Sequence, residues 1–142
     1  MLFYKIVGEF LWVLCYNYKS GGKIMKKIAV LRCLRVSASC AGSGCLRAMN
    51  EKTGAFACYE AEEPLQAVAV WTCNGCGENK LPNQEGVHKK IARMKKLMPD
   101  AVHLSNCTMP KDAAGNRKLC PVIAEIAAEL EAAGIKVVHG TH

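Results

Sequence analysis

The chain has 142 residues, a formal net charge of +7, 51% hydrophobic residues, nine Cys and four His. That length buries one ordinary core, and the composition excludes both a disordered tail and a multidomain assembly. Nine is an odd number, so intramolecular disulfides alone do not account for the sulfur.

The first segment differs in kind from the rest. Six of the nine aromatic residues (Phe3, Tyr4, Phe10, Trp12, Tyr16, Tyr18) fall in the first eighteen positions. The apolar run Phe10–Tyr16 spans only seven residues, against roughly 20 for a bilayer crossing. Asn17, Tyr18, Lys19 and Ser20 follow it instead of a small-residue cleavage site. No membrane association or export is therefore expected, and the protein reads as cytosolic (cytoplasmic), where thiols stay reduced and Cys clusters serve metal or redox chemistry. Ser20-Gly21-Gly22-Lys23-Ile24 leads into Met25-Lys-Lys-Ile-Ala-Val, which reads as the natural opening of a domain. The expectation is an N-terminal extension over 1–24, with Met25 as the true initiator, and one domain over 25–142. A peripheral anchor or partner-binding helix is the competing reading of 1–24.

Lys26–Cys33 (KKIAVLRC) is a short apolar run, as a buried parallel strand requires. A Gly/Ser loop follows, then a helical stretch from about Cys45 to Phe56 with Leu46, Met49 and Phe56 on one face. Leu65–Thr72 (LQAVAVWT) is a second strand and runs into Cys73-Asn74-Gly75-Cys76. A helix from about Gly86 to Met98 carries Val87, Ile91, Met94 and Leu97 at helical spacing. Ala101–Asn106 is a third strand leading to Cys107. Cys120-Pro121 opens a helix to Ala133, with Pro at its first position and Gly134 as its stop. Ile135–Val138 is a fourth strand, and the chain ends His139-Gly140-Thr141-His142. The order β-α-β-α-β-α-β predicts an α/β fold: a small parallel four-stranded sheet with helices on its faces, Rossmann-like or flavodoxin-like, joined by right-handed crossovers.

Five cations, Lys89, Lys90, Arg93, Lys95 and Lys96, share the predicted third-quarter helix. Without interleaved aromatics or a nucleic-acid module they read as a solvated face, and no nucleic-acid partner is expected.

The cysteines acquire meaning once laid on the strands. Cys33 closes the first, Cys73 and Cys76 follow the second, Cys107 follows the third, and His139 and His142 follow the fourth. In a parallel sheet all those ends lie on one edge, where open α/β folds bind ligands. Adjacent strands are about 4.8 Å apart, and two thiolates on one zinc, each at about 2.3 Å, lie closer than that. Cys40 and Cys45, in the loop Cys40-Ala-Gly-Ser-Gly-Cys45, and Cys120, at a helix start, have the reach to join. Seven Cys and two His exceed what one tetrahedral ion needs, which keeps two metals or an iron-sulfur cluster open. Cys73 and Cys76 also suit a thioredoxin-type dithiol between strand and helix. Cys15 and Cys58 read as small buried hydrophobes, His103 as a satisfied core histidine, and His88 as exposed. Other chemistry fits less well. There is no phosphate-binding P-loop, and the Cys-x5-Arg arrangement fails because Ser39 and Leu46 stand where Arg is needed.

These residues resemble the CGGC domain family of bacteria and archaea. The resemblance runs from Met25 to His142 through Arg32-Cys33, Cys40-x4-Cys45, Ala48-x-Asn50-Glu51-Lys52-Thr53-Gly54-Ala55-Phe56, the dithiol, His103-Leu104-Ser105-x-Cys107, Cys120-Pro121 and Gly140-Thr141-His142. It implies a metal-binding domain, with zinc as the expected ion, and names no reaction. Two positions depart from the pattern: the eponymous Cys-Gly-Gly-Cys reads Cys73-Asn74-Gly75-Cys76, and Val122 stands where a His is expected after Cys-Pro. Residue 122 is thereby excluded as a ligand.

The functional expectation is a metal-binding domain whose partner is a metal ion, zinc first and an iron-sulfur cluster second. Its ligands are drawn from Cys33, Cys40, Cys45, Cys73, Cys76, Cys107 and Cys120, completed by His139 or His142. The alternative is a thiol-disulfide oxidoreductase using Cys73 and Cys76.

Overall fold

A computed structural model describes residues 24–142. The expectations for the N-terminal extension and for Cys15 fall outside those residues. In chain order the elements are β1 (Lys26–Arg32), α1 (Leu34–Ser37), α2 (Ser43–Glu51), β2 (Leu65–Thr72), α3 (Glu85–Leu97), β3 (Ala101–Leu104), α4 (Pro121–Ala132) and β4 (Val137–His139). Short 3-10 turns lie at Gly54–Cys58, Gly77–Asn79 and Asn106–Thr108.

The four strands form one parallel sheet in the order β2-β1-β3-β4. This α/β arrangement follows from how β1 is covered. Ile28 and Val30 pack with Cys45, Ala48, Met49 and Phe56 on one face. Ala29 and Leu31 pack with Ile91, Met94, Ile123 and Leu130 on the other. A strand covered on both sides needs apolar residues at every position, which is why β1 reads as a continuous run rather than an alternation. Helix α2 thus lies on one face, and α3 and α4 lie on the other.

Several boundaries differ from the sequence expectation, each for a local reason. The helix after the first loop ends at Glu51, because Lys52 takes a left-handed backbone at φ 54 and its N–H returns to Met49 O. Lys52 Nζ then caps the carbonyls of Glu60, Ala61 and Glu63. The following 3-10 turn drives Phe56 into the core and leaves Cys58 exposed, so Cys58 is not the buried hydrophobe expected. Leu46 is likewise on the outer side of α2, and the buried stripe is Cys45, Ala48 and Met49. Helix α4 stops with Gly134 at φ 82 and with the Ile135 N–H on Leu130 O, a six-to-one Schellman closure. Ile135 therefore belongs to that closure, and β4 starts two residues later than its apolar letters suggest. The short helix α1 carries no buried residue and had no periodic signal to announce it.

On α3, Lys89, Arg93, Lys95 and Lys96 are exposed, as expected for a solvated face. Lys90 is different: its Nζ donates to Thr72 O at 2.8 Å and to Asn74 Oδ1 at 2.8 Å, tying α3 to the exit of β2.

His103 is a satisfied core residue, fully buried in β3. Its ring stacks on Phe56 with centroids 4.0 Å apart. Nδ1 donates to Gly140 O at 3.0 Å, which leaves Nε2 to accept from the Tyr59 hydroxyl at 2.8 Å. Burial lowers its pKa below the ordinary histidine value. The unfolded chain therefore takes up a proton that the native ring refuses, and stability falls as pH drops through about 6.5 toward the depressed native value. Urea midpoints measured from pH 7.5 to 5 are expected to fall for the wild type. His103→Gln should flatten that slope by up to about 1.4 kcal/mol per pH unit; an unchanged slope would show the ring to be charged in the native state.

Candidate metal centre

In the order β2-β1-β3-β4 the chain leaves β1 toward one edge and β3 toward the other, so the switch point lies between them. Loops that diverge to opposite faces open a crevice at the carboxyl ends of those strands. The residues at that place are Cys33, next after β1, and Cys107, in the turn after β3. The Cys33 N–H donates to Cys107 Sγ at 3.2 Å. The Ser105 N–H, on Leu31 O at 2.9 Å, holds the two exits in register.

Two further thiols reach the same place by separate routes. Cys120 caps α4, and its N–H bonds Thr108 O at 2.9 Å, beside Cys107. Cys76 arrives from β2 through a loop pinned by Asn74, which is buried. Asn74 Nδ2 donates to Asn83 O at 2.7 Å, and its carbonyl accepts from Leu81 N–H and Gln84 Nε2. Gly75 is obligatory in that loop, since at φ 84 a Cβ would collide with Asn79 O. The result is a cavity of about 390 Å³ lined by Cys33, Cys76, Cys107 and Cys120, with Arg35 and Lys111 among its remaining walls.

A second group lies toward the α2 face. Cys45 is buried, with its Sγ 3.1 Å from Ser105 Oγ, 3.3 Å from Thr141 Oγ1 and 3.9 Å from His142 Nδ1. Cys40 is exposed and lines a cavity of about 310 Å³ together with Cys107, Asn106, Arg117 and His142. Cys107 thus borders both cavities.

Neither cavity has an Asp or Glu in its wall. The Cys76 thiol is pushed up, first by burial and then by the thiols of Cys120, Cys33 and Cys73. That mutual crowding of potential thiolates is what a bound cation relieves. Among the described residues no three His, Cys, Asp or Glu side chains already stand together as a finished cation site. The structure brings four sulfurs around one space without closing them on a point.

The remaining candidates sit elsewhere on the edge. Cys73 is buried in the apolar cluster with Trp71, Ile91 and Leu104, and lines neither cavity. His139 is exposed at the end of β4, paired with Leu104 through the backbone ladder, and lines neither cavity. His142 is held from the main chain, where Asn106 Nδ2 donates to its O, and its ring stands near Cys45. Sequence reasoning passed over Arg32 and Arg117, which flank Cys40 and its cavity. A cation at a strand exit has no spacing signature, and only the folded loop reveals it.

Residues 27–142 match the CGGC domain. The chain belongs to the CGGC domain family. An uncharacterized protein of Methanocaldococcus jannaschii is 31% identical over 121 residues, covering 82% of this chain and 86% of that protein. No solved structure matches the chain at a significant level. Membership of the CGGC family points to a metal-binding role and leaves the reaction open. Among the described residues no helix of this CGGC domain is long and apolar enough to cross a membrane.

The geometry also explains the departure from the eponymous motif. Asn74, in place of the first Gly, supplies the side chain that locks Lys90 and Asn83 to the Cys76 loop. Restoring the motif by Asn74→Gly removes both bonds, each worth roughly 0.5–1.5 kcal/mol, so a loss of about 1–3 kcal/mol is expected in urea unfolding. Equal stability of the two proteins would remove the pinning role.

Proposed function

We propose that this CGGC domain binds a thiophilic divalent cation, zinc first, through Cys33, Cys76, Cys107 and Cys120. The observation that carries the reading is that four cysteines from three separate connections wall one cavity at the sheet's switch point, with no carboxylate among them. Thiolate donors without hard oxygen ligands favour zinc or an iron-sulfur cluster over magnesium or calcium. Positive and donor groups face the space: the Cys33 N–H points at Cys107 Sγ, Cys120 stands at the N-terminus of a twelve-residue helix, and Arg35 and Lys111 border the cavity.

Bound zinc would neutralise the thiolates and cross-link the exits of β1, β2 and β3 to α4. His139 and Cys73 are left out of the set, the first because it stands apart and the second because it is packed in the core. Reduced thiols at such a site fit the cytosol.

The dithiol alternative finds less support. Cys73 is enclosed by apolar side chains and shielded from a substrate disulfide, and burial first pushes the Cys76 thiol up rather than down.

Anaerobically reduced protein titrated with Co²⁺ is expected to take up one equivalent, with the near-ultraviolet thiolate charge-transfer band, and to release it to Zn²⁺. Cys33→Ser, Cys76→Ser, Cys107→Ser and Cys120→Ser should each weaken binding by at least roughly tenfold, about 1.4 kcal/mol, while His139→Ala leaves it unchanged. Zinc at about 100 times its dissociation constant should stabilise the fold by about 2.7 kcal/mol. A titration without the thiolate band, or one lost only in His139→Ala, would overturn the reading.

A further inference from the structure

Arg32 ends β1 with a side chain only 8% exposed, and its Nε has no hydrogen-bond partner. Its Nη2 donates to a neutral acceptor, Cys40 O, and among the described residues no carboxylate pairs with it. A guanidinium does not shed its proton, and a buried charge without a counter-ion is strongly disfavoured. The group beside it able to carry the opposite charge is the Cys40 thiol. The loop between them is built for this approach. Gly42 takes φ 76, which strains any other residue, and a Cβ there would crowd Arg32 Cζ at 3.2 Å and Nε at 3.4 Å, so glycine lets the loop close over the guanidinium without strain. The Gly42 N–H points at Cys40 Sγ, 3.4 Å away. These donors hold the thiol below its ordinary range, Gly42 first and Arg32 next.

Unlike Cys45 and Cys73, Cys40 is exposed. The cavity it borders also contains Arg117, whose Nη1 donates to the carbonyls of Asn106 and Met109, with no carboxylate partner among the described residues. We propose that Cys40 is a nucleophilic thiol, with Arg32 as its positioning residue, that exchanges with small disulfides bearing carboxylates, which Arg117 attracts into the cavity. In the step, Cys40 Sγ attacks one sulfur of R–S–S–R. The Cys40–S–S–R bond forms as the R–S–S–R bond breaks, and the leaving RS⁻ carries away the electron pair and takes a proton from solvent. Cys40 is oxidised, one R thiol is produced, and no further reductant enters. Cys40, Arg32 and Arg117 are outside the proposed metal-ligand set, and Cys107, which belongs to it, borders both cavities.

The test uses the full reduced chain, desalted without air and mixed with dithiodiglycolate, 2-hydroxyethyl disulfide or cystamine, with the adduct mapped by peptide mass spectrometry. The expected result is a mixed disulfide first at Cys40, at least roughly tenfold faster than at Cys58, which is also exposed, and fastest with the dianionic reagent. Arg117→Gln, on an exposed side chain, should abolish the preference for dithiodiglycolate over cystamine. Arg32→Gln should move the pH profile of Cys40 alkylation upward, and Arg32→Lys should partly restore it. Cys40→Ser should keep its Co²⁺ uptake, so a failure of the metal reading leaves this result standing. Exchange no faster at Cys40 than at Cys58, or indifference to reagent charge in the wild type, would overturn the proposal.

Discussion

The topology turns on the parting of β1 and β3. These neighbours are paired through Ile28–Leu31 and Ala101–Leu104, yet their exits run to opposite faces of the sheet. A crevice at that point is a consequence of chain direction. What this sequence adds is a sulfur at each lip, and the Cys33 N–H on Cys107 Sγ joins the two lips directly. The other thiols are attached to this seam. Cys120 reaches it through Thr108, and Cys76 through a loop whose shape depends on Asn74, Gly75 and Lys90.

Charge gives the seam its selectivity. A cavity walled by four thiols, with Arg35 and Lys111 at its border and no carboxylate, suits ligands that become negative only when a cation is there to share. Hard cations need oxygen donors that this wall does not offer. The neighbouring cavity is bordered by Arg117, with the buried Arg32 beneath the Cys40 loop, and there a single exposed sulfur faces it. One sheet edge thus presents two different sulfur environments, whose walls share Val36, Cys107 and Pro110.

The sheet was legible because its strands are buried on both sides. Continuous apolar runs such as Ile28–Leu31 mark themselves, and residues just after such runs must lie on the carboxyl edge. That logic placed Cys33, Cys76, Cys107 and His142 without coordinates. It did not distinguish the two faces, because the first few residues after a strand escape its alternation. Cys45 therefore went to the α2 side with Ser105 and Thr141, and Cys73 continued the β2 stripe into the core. Nor did periodicity anticipate the left-handed Lys52, which ends α2 early and turns Cys58 outward. The roles of Arg32 and Asn74 depend on loop closure over many residues, and local letters carry no trace of it.

The most direct test is X-ray absorption at the zinc edge on protein loaded with one equivalent of the metal. Sulfur scatterers at about 2.3 Å should dominate the nearest shell, and sulfur amplitude should fall in Cys33→Ser and in Cys120→Ser. A shell of nitrogen and oxygen near about 2.0 Å, unchanged in both variants, would contradict a thiol site at the β1–β3 seam.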